Sequence, residues 1–197
     1  MSPLMWALIA VVVIVVVALA VLFASRHRTT SLQQKYGPEY DRTVESATGR
    51  RAAEAQLEDR SERRDRLEIR PLPEAVRLRF AEQWRGVQER FVDQPSEALS
   101  AGESLLTRVM EERGYPVSDF DEQADLVSVD HPDMVDNYRA AHGILQRNRV
   151  HQASTEDLRE ALLRYRSLFD VLLRSDGTSP APGDATGDTA TTGQSQP

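Results

Sequence analysis

The fold is decided by residues 73–91, which read PEAVRLRFAEQWRGVQERF. Apolar residues recur in this stretch in steps of four, four, three and four, at Val76, Phe80, Trp84, Val87 and Phe91. That spacing lines one face of an α-helix, and charged residues occupy the opposite face. Pro73 suits the first position of such a helix. The stretch therefore predicts an amphipathic helix that packs into a helical core.

The same pattern continues through the rest of residues 71–174. Long helices are predicted over about residues 96–113, 132–148 and 154–172, and a short one over about 119–127. Gly114 is expected to end the first of these helices. No part of this region alternates apolar and polar residues with a period of two. The predicted fold class is therefore all-α, with a small bundle of four main helices and a short one.

An unbroken apolar run, LMWALIAVVVIVVVALAVLFA, occupies residues 4–24. As a helix it would extend about 31 Å, which matches a bilayer hydrocarbon core of about 30 Å. A cleaved signal peptide is the alternative, because Ala18-Leu19-Ala20 offers a small-x-small cleavage site. The run lacks a preceding Lys or Arg and exceeds the usual apolar length of a signal peptide, about 7–15 residues. Residues 1–25 are therefore predicted to be an uncleaved transmembrane anchor.

The charges beside this run predict its orientation. Arg26, Arg28 and Lys35 follow it, whereas no Lys or Arg precedes it. Positive flanks are retained on the cytoplasmic side of a membrane. We therefore expect the N-terminus outside and the C-terminal domain in the cytoplasm. The alternative is an outward-facing domain, or one secreted after signal cleavage.

Residues 26–70 are rich in charge and poor in apolar residues. They predict a long polar helix over about 39–67, supported by acid–base pairs four residues apart. A solvated spacer between membrane and bundle is the favoured interpretation. A homodimer through this helix is a second one, although its apolar stripe is too thin for a clear coiled coil. Binding of anionic lipid or nucleic acid by its Arg-rich part is disfavoured, because interleaved acidic residues cancel most of the positive field.

Residues 175–197 contain no Val, Leu, Ile, Met or aromatic residue. Such a segment cannot bury enough apolar surface to offset the loss of chain entropy. The sequence therefore predicts a disordered C-terminal tail. The chain divides accordingly into an anchor at 1–25, a charged spacer at 26–70, a helical bundle at 71–174 and a tail at 175–197.

Composition and motifs argue against most catalytic and cofactor chemistry. The chain has no Cys, which excludes thiol catalysis and Cys-zinc sites, and its net charge of −7 argues against a nucleic-acid binder. It contains neither a glycine-rich nucleotide loop, nor a Gly-x-Ser-x-Gly elbow, nor a His-Glu-x-x-His pair. The sequence thus predicts no catalytic residue, no cofactor-binding residue and no metal ligand.

Two features of the sequence bear on this conclusion. His142 lies four residues after Tyr138, next to the apolar face of its helix, and a buried structural His is the favoured interpretation. Asp130, His131, Asp133 and Asp136 form a small acidic cluster at a helix start. The favourable interaction of acidic residues with the helix dipole explains that cluster without a metal.

The order of segments resembles a family of single-pass membrane proteins from high-GC, actinobacterial-type bacteria whose function is unknown. The resemblance is carried by YGPEYDR at 36–42, IRPLP at 69–73, RGYPV at 113–117, DHP at 130–132, YRAAH at 138–142 and STEDL at 154–158. It implies a membrane location. It implies no activity, so it adds no site residue.

The function predicted from these features is a membrane-tethered helical module that binds another protein or acts as a scaffold, without catalysis. The alternative is a helical enzyme or small-ligand-binding domain with a pocket near His142 and Tyr138.

Overall fold

A computed structural model describes residues 3–174, except for the side chains of 3–11, 17, 18, 20, 21, 24 and 25. The protein is all-α, and no strand occurs in this described part. The helices in chain order are α1 Pro3–Tyr36, α2 Pro38–Ser46, α3 Arg50–Asp65, α4 Glu74–Phe91, α5 Pro95–Arg113, α6 Phe120–Asp130, α7 Pro132–Arg149 and α8 Thr155–Arg174. The helices predicted from apolar spacing in residues 71–174 are therefore present as α4 to α8.

The main core lies between α4, α5, α7 and α8. Trp84 of α4 is 1% exposed, and its ring packs on Phe169 of α8 with centroids 4.5 Å apart. Gly102 of α5 allows α8 to approach closely, since a Cβ there would lie 3.1 Å from Leu162 Cδ1. The apolar face predicted for α4 thus faces the core.

Gly114 allows the chain that precedes the bundle to pack against the C-terminal end of α5. It ends α5 in the left-handed conformation, with φ 100°. A Cβ at this position would lie 2.5 Å from the Glu68 carbonyl oxygen, so only Gly fits. The Arg70 N–H donates to the Arg113 carbonyl oxygen at 3.0 Å. Residues 66–73 are therefore held against the end of α5.

The single helix predicted over residues 39–67 is wrong in its continuity. The chain leaves the helical conformation after Ser46, where Ala47 is extended, and resumes at Arg50 after Gly49 with φ 146°. The charge pairs that favour a helix are local, and they gave no sign of this break. The break lets α3 pack against α2 and α6.

These N-terminal helices do not form a solvated spacer. Ala53 and Leu57 of α3 are 0% exposed, and a second small core joins Leu32, Tyr36, Tyr40 and Leu57 to Val129 of α6. These apolar side chains of the predicted spacer are therefore buried against other helices of the same chain.

The predicted membrane segment, residues 4–24, falls largely on side chains outside the described part, and the predicted disordered tail lies wholly outside it. Among the residues that the structure describes, no helix is both long and apolar enough to cross a membrane.

Candidate interaction surface

His142 is held by groups from three helices. Its Nδ1 lies 3.0 Å from Glu103 Oε1 of α5, and its Nε2 lies 2.8 Å from Gln146 Nε2 of α7. Its ring stacks on Phe120 of α6, with centroids 3.6 Å apart. Both ring nitrogens therefore already have protein partners, in keeping with a structural role that ties α5, α6 and α7 together.

Tyr138 is similarly engaged. Its hydroxyl donates to Gln123 Oε1 at 2.7 Å, and the side chain is 1% exposed. Burial raises the pKa of the Tyr138 hydroxyl above its ordinary value, with a smaller contribution from the charge of Glu103. Tyr138 is therefore a neutral hydrogen-bond donor at physiological pH.

The acidic cluster at 130–136 does not converge on one point. Asp130 accepts hydrogen bonds from Arg64 Nε at 2.7 Å and from the Tyr115 hydroxyl at 2.6 Å. Asp136 accepts from Arg42 Nη1 at 2.9 Å instead. Within the described part of the chain, no group of three or more His, Asp and Glu side chains is placed to hold a metal ion.

A partly buried group of charges, with Glu39 at its buried centre, joins α2 and α3 to α6 and α7. Glu39 of α2, whose side chain is 1% exposed, accepts from Arg60 Nη1 at 2.8 Å and from Arg139 at 2.6 and 2.9 Å. Asp125 of α6 lies 2.9 Å from Arg60 Nη2 and 3.6 Å from both Arg63 Nη2 and Arg139 Nη2. We call these five residues the charged clamp.

The two carboxylates of the charged clamp differ in their electrostatics. Burial disfavours the ionised form of Glu39, but the hydrogen bonds and charges of Arg139 and Arg60 outweigh it and lower its pKa. For Asp125, burial is the dominant effect and raises the pKa despite the neighbouring Arg60, Arg139 and Arg63. The clamp is therefore centred on an ionised Glu39 that two helices share.

Sequence reasoning missed the charged clamp. Glu39 and Arg139 are 100 residues apart, and no local spacing links them. The one available signal was the YGPEYDR segment, which contains Glu39 and carries part of the family resemblance. The role of Glu39 in packing can be recognised only once α2 is known to lie against α7.

A surface groove runs between the antiparallel helices α4 and α5. One end of the groove, of about 300 Å³, is lined by Arg79, Phe80, Gln83, Arg108, Glu111 and Glu112. The other end, of about 320 Å³, is lined by Gln83, Gly86, Val87, Arg90, Ala101, Leu105 and Arg108. The α4–α5 groove thus has an apolar floor between charged rims.

The rims of the α4–α5 groove carry charges that have no polar partner among the described residues. Arg90, Glu111 and Glu112 make no side-chain hydrogen bond or ion pair with the described residues. Arg79 lies over the Phe80 ring, 5.6 Å from its centroid, and Arg108 Nη2 lies 3.3 Å from Gln83 Oε1. The groove is therefore a chemically mixed surface that is open to a partner.

No family model matches this chain, and neither a curated protein nor a solved structure shows significant similarity to it. The family resemblance drawn from the sequence motifs therefore stays a prediction.

Proposed function

We propose that this chain is a membrane-tethered helical module that binds another protein and has no catalytic activity. The observation that supports it most is the exposure of α1. The consecutive residues Val12 to Val16, together with Leu19, Leu22 and Phe23, are between 49% and 74% exposed. Five consecutive residues cover every side of a helix, and so extensive an exposed apolar surface marks a membrane or protein contact.

The tether continues directly into the folded part of the chain. Near the end of α1, Thr29 Oγ1 donates to Glu54 Oε1 at 2.7 Å, and the Tyr36 hydroxyl donates to the Leu57 carbonyl oxygen at 2.7 Å. Arg28 and Glu58 form an ion pair between α1 and α3. A membrane helix attached in this way would hold the bundle close to the bilayer rather than at the end of a spacer.

The location of residues 4–24 is tested by deleting them. The full chain should remain with membranes after alkaline carbonate extraction, and the shortened chain should appear in the soluble fraction. A full chain that carbonate releases, or an N-terminus found at about residue 21, would contradict the uncleaved anchor.

The orientation is tested with two C-terminal reporters, one active only in the cytoplasm and one only outside. We expect the cytoplasmic reporter to be active. Replacing Arg26, Arg28 and Lys35 by Ser, with several Lys added before Leu4, should shift part of the population to the opposite orientation. Glu58→Gln is the matched control, because it breaks the contact with Arg28 without changing the flanking positive charge. Activity of the outside reporter in the unmodified chain would reverse the assignment.

The α4–α5 groove supports protein binding as the activity of the folded part. Its apolar floor and charged rims resemble the composition of an interface with a buried centre and a polar edge. A photo-crosslinking residue at Gln83, within the groove, should capture a protein in native membranes. The same residue at Arg159, exposed on α8, is the control position. Equal capture at both positions, or none at either, would count against the groove as the binding site.

The enzyme or small-ligand alternative stays a hypothesis centred on His142 and Tyr138. Neither residue lines the α4–α5 groove, and the polar atoms of both are bound to protein groups. His142→Gln should therefore lower stability more than cellular function. Loss of function in a variant that keeps its full helical spectrum and its melting temperature would favour the alternative.

A further inference from the structure

The α4–α5 groove carries both signs of charge at one end. Arg79 of α4 stands on one rim, and Arg108, Glu111 and Glu112 of α5 stand on the other. Arg108 donates to Gln83 Oε1 of α4 at 3.3 Å, so the side chains left without a polar partner among the described residues are Arg79, Glu111 and Glu112. No ion pair joins Arg79 to either Glu within the described part of the chain. A partner that neutralises all three side chains must itself present acidic groups opposite α4 and a basic group opposite α5.

Gly86 lies at the other end of the groove, inside α4. A Gly in a helix interior is less favourable than Ala by about 0.5–1 kcal/mol, so it calls for a reason. The fold supplies none, because a Cβ at Gly86 would meet no atom within 4 Å. Gly102 differs, since the Leu162 and Trp84 side chains fill the space beside it. The missing side chain at Gly86 leaves room at the surface for a closely approaching helix.

We propose that the occupant of the α4–α5 groove is the same groove of a second copy of this chain. A two-fold axis parallel to the groove places α4 of one copy opposite α5 of the other. Arg79 of each copy then faces Glu111 and Glu112 of its partner copy, and this contact occurs twice, as two-fold symmetry requires. This inference rests on the proposed function and names its partner.

Charge complementarity favours a second copy over the other occupants. An acidic helix would suit Arg79 and Arg90 but would be repelled by Glu111 and Glu112. The same holds for residues 175–197 of this chain, whose three charged side chains are all Asp. Helix α3 offers no competing apolar surface for a second copy, because Ala53 and Leu57 are buried within the chain. A shared membrane would further raise the effective concentration of the two copies.

The decisive experiment exchanges charges across the two-fold axis. One variant carries Arg79→Glu, and the other carries Glu111→Arg with Glu112→Arg. Each full-length variant is labelled and reconstituted in vesicles, and energy transfer between copies is measured. The apparent affinity of self-association should fall at least about tenfold, because like charges then face each other. Mixing the two variants should restore transfer, since every contact again pairs opposite charges. One chain with all three changes should also self-associate.

Two further variants separate this effect from folding. Gly86→Gln should weaken self-association while leaving the melting temperature unchanged or higher, because a good helix former replaces Gly. Arg51→Glu alters the charge by the same amount as Arg79→Glu, at an exposed position on α3. It should change neither self-association nor the melting temperature. Loss of self-association accompanied by a lower melting temperature in Gly86→Gln would overturn the role assigned to that residue.

The remaining outcomes distinguish the dimer from the broader function. A full chain that shows no energy transfer, or transfer that Arg79→Glu leaves unchanged, would overturn the two-fold contact. If a crosslinker at Gln83 then captured a different protein, the proposed function would stand without the dimer. If it captured only residues 175–197 of its own chain, or nothing, both would fail.

Discussion

Within the part of the chain that the structure describes, Trp84 is the largest of the fully buried side chains, and its indole Nε1 has no hydrogen-bond partner there. An unpaired buried donor costs about 1–3 kcal/mol, so the ring must contribute through packing rather than through its N–H. Its neighbours are consistent with this, since the Phe169 ring packs against it at a tilt of 31° and the Arg166 guanidinium lies 5.8 Å from the ring centroid.

Replacing Trp84 tests this assignment directly. Trp84→Ala should lower the free energy of unfolding by about 3–5 kcal/mol through loss of burial and creation of a cavity. Trp84→Phe should cost clearly less, because it keeps an aromatic ring and removes the unpaired N–H. Chemical denaturation followed by far-UV circular dichroism measures both. A Trp84→Ala variant of unchanged stability would contradict the core position.

His131 connects α6 to α7, and its environment opposes a positive charge. Burial lowers the pKa of the His131 imidazole; Asp130 acts in the opposite direction, and Arg113 and Arg64 add to the lowering. The unfolded chain therefore binds this proton more readily than the folded chain does. The contribution of His131 to stability is lost as the pH falls through its unfolded pKa of about 6.5.

We expect the free energy of unfolding to fall as the pH is lowered from 7 to 5. His131→Asn should reduce this dependence, because Asn suits a helix start without binding a proton. Denaturation curves recorded at several pH values provide the measurement. An identical pH dependence in His131→Asn and in the unmodified chain would show that another group is responsible.

At the scale of elements, the charged clamp determines where α2 lies. Glu39 binds α2 to Arg60 of α3 and to Arg139 of α7 with side chains that are at most 17% exposed. Removing one member of a buried ion pair is costly because its partners keep their charge without compensation. The contact between Arg42 of α2 and Asp136 of α7 is different, since both side chains are more than half exposed.

Glu39→Ala should therefore destabilise the chain by about 3 kcal/mol, the lower end for a broken buried pair, since Asp125 still compensates the arginines in part. Asp136→Ala is the matched control and should change stability by less than about 1 kcal/mol. Hydrogen exchange of α2 and α3 should accelerate in Glu39→Ala more than exchange of α4 and α8. Equal effects of the two variants would show that Glu39 is no more important than a surface pair.

At the scale of the whole molecule, polar contacts join the N-terminal helices to the bundle. Asp130 of α6 is bound by Arg64 of α3, and Gly114 leaves space for the Glu68 backbone. A fragment that begins at residue 71 lacks Glu39, Arg60 and Arg64. It therefore leaves Asp125, Asp130 and Arg139 without their partners from α2 and α3.

We expect residues 71–174 to form a soluble, mostly helical fragment that is less stable than residues 26–174. The main core lies within the shorter fragment, so its helix content should persist, whereas the unpaired charges should lower its melting temperature. Circular dichroism of both fragments checks the two statements. A strand-type spectrum for residues 71–174 would contradict the fold, and equal melting temperatures would contradict the coupling.

The sequence by itself determined the class of this protein and the helices of its bundle. Apolar residues at steps of three and four are a local signal, and burial of that face is what keeps each helix in place. The face formed by Phe80, Trp84 and Val87, and the stop at Gly114, could therefore be predicted before any contact was known. The structural role expected for His142 rests on its place beside an apolar face, which is also a local signal.

Only the tertiary structure decided how residues 26–70 are arranged and where the surfaces for a partner lie. Their local charge pairs fit an isolated helix and a folded one equally well, whereas the break before Gly49 is favoured by contacts with α6 and α7. The charged clamp joins residues as far apart as Glu39 and Arg139, and the α4–α5 groove depends on which side chains two helices leave uncovered. Such juxtapositions arise from packing between distant segments, which no local pattern in the sequence encodes.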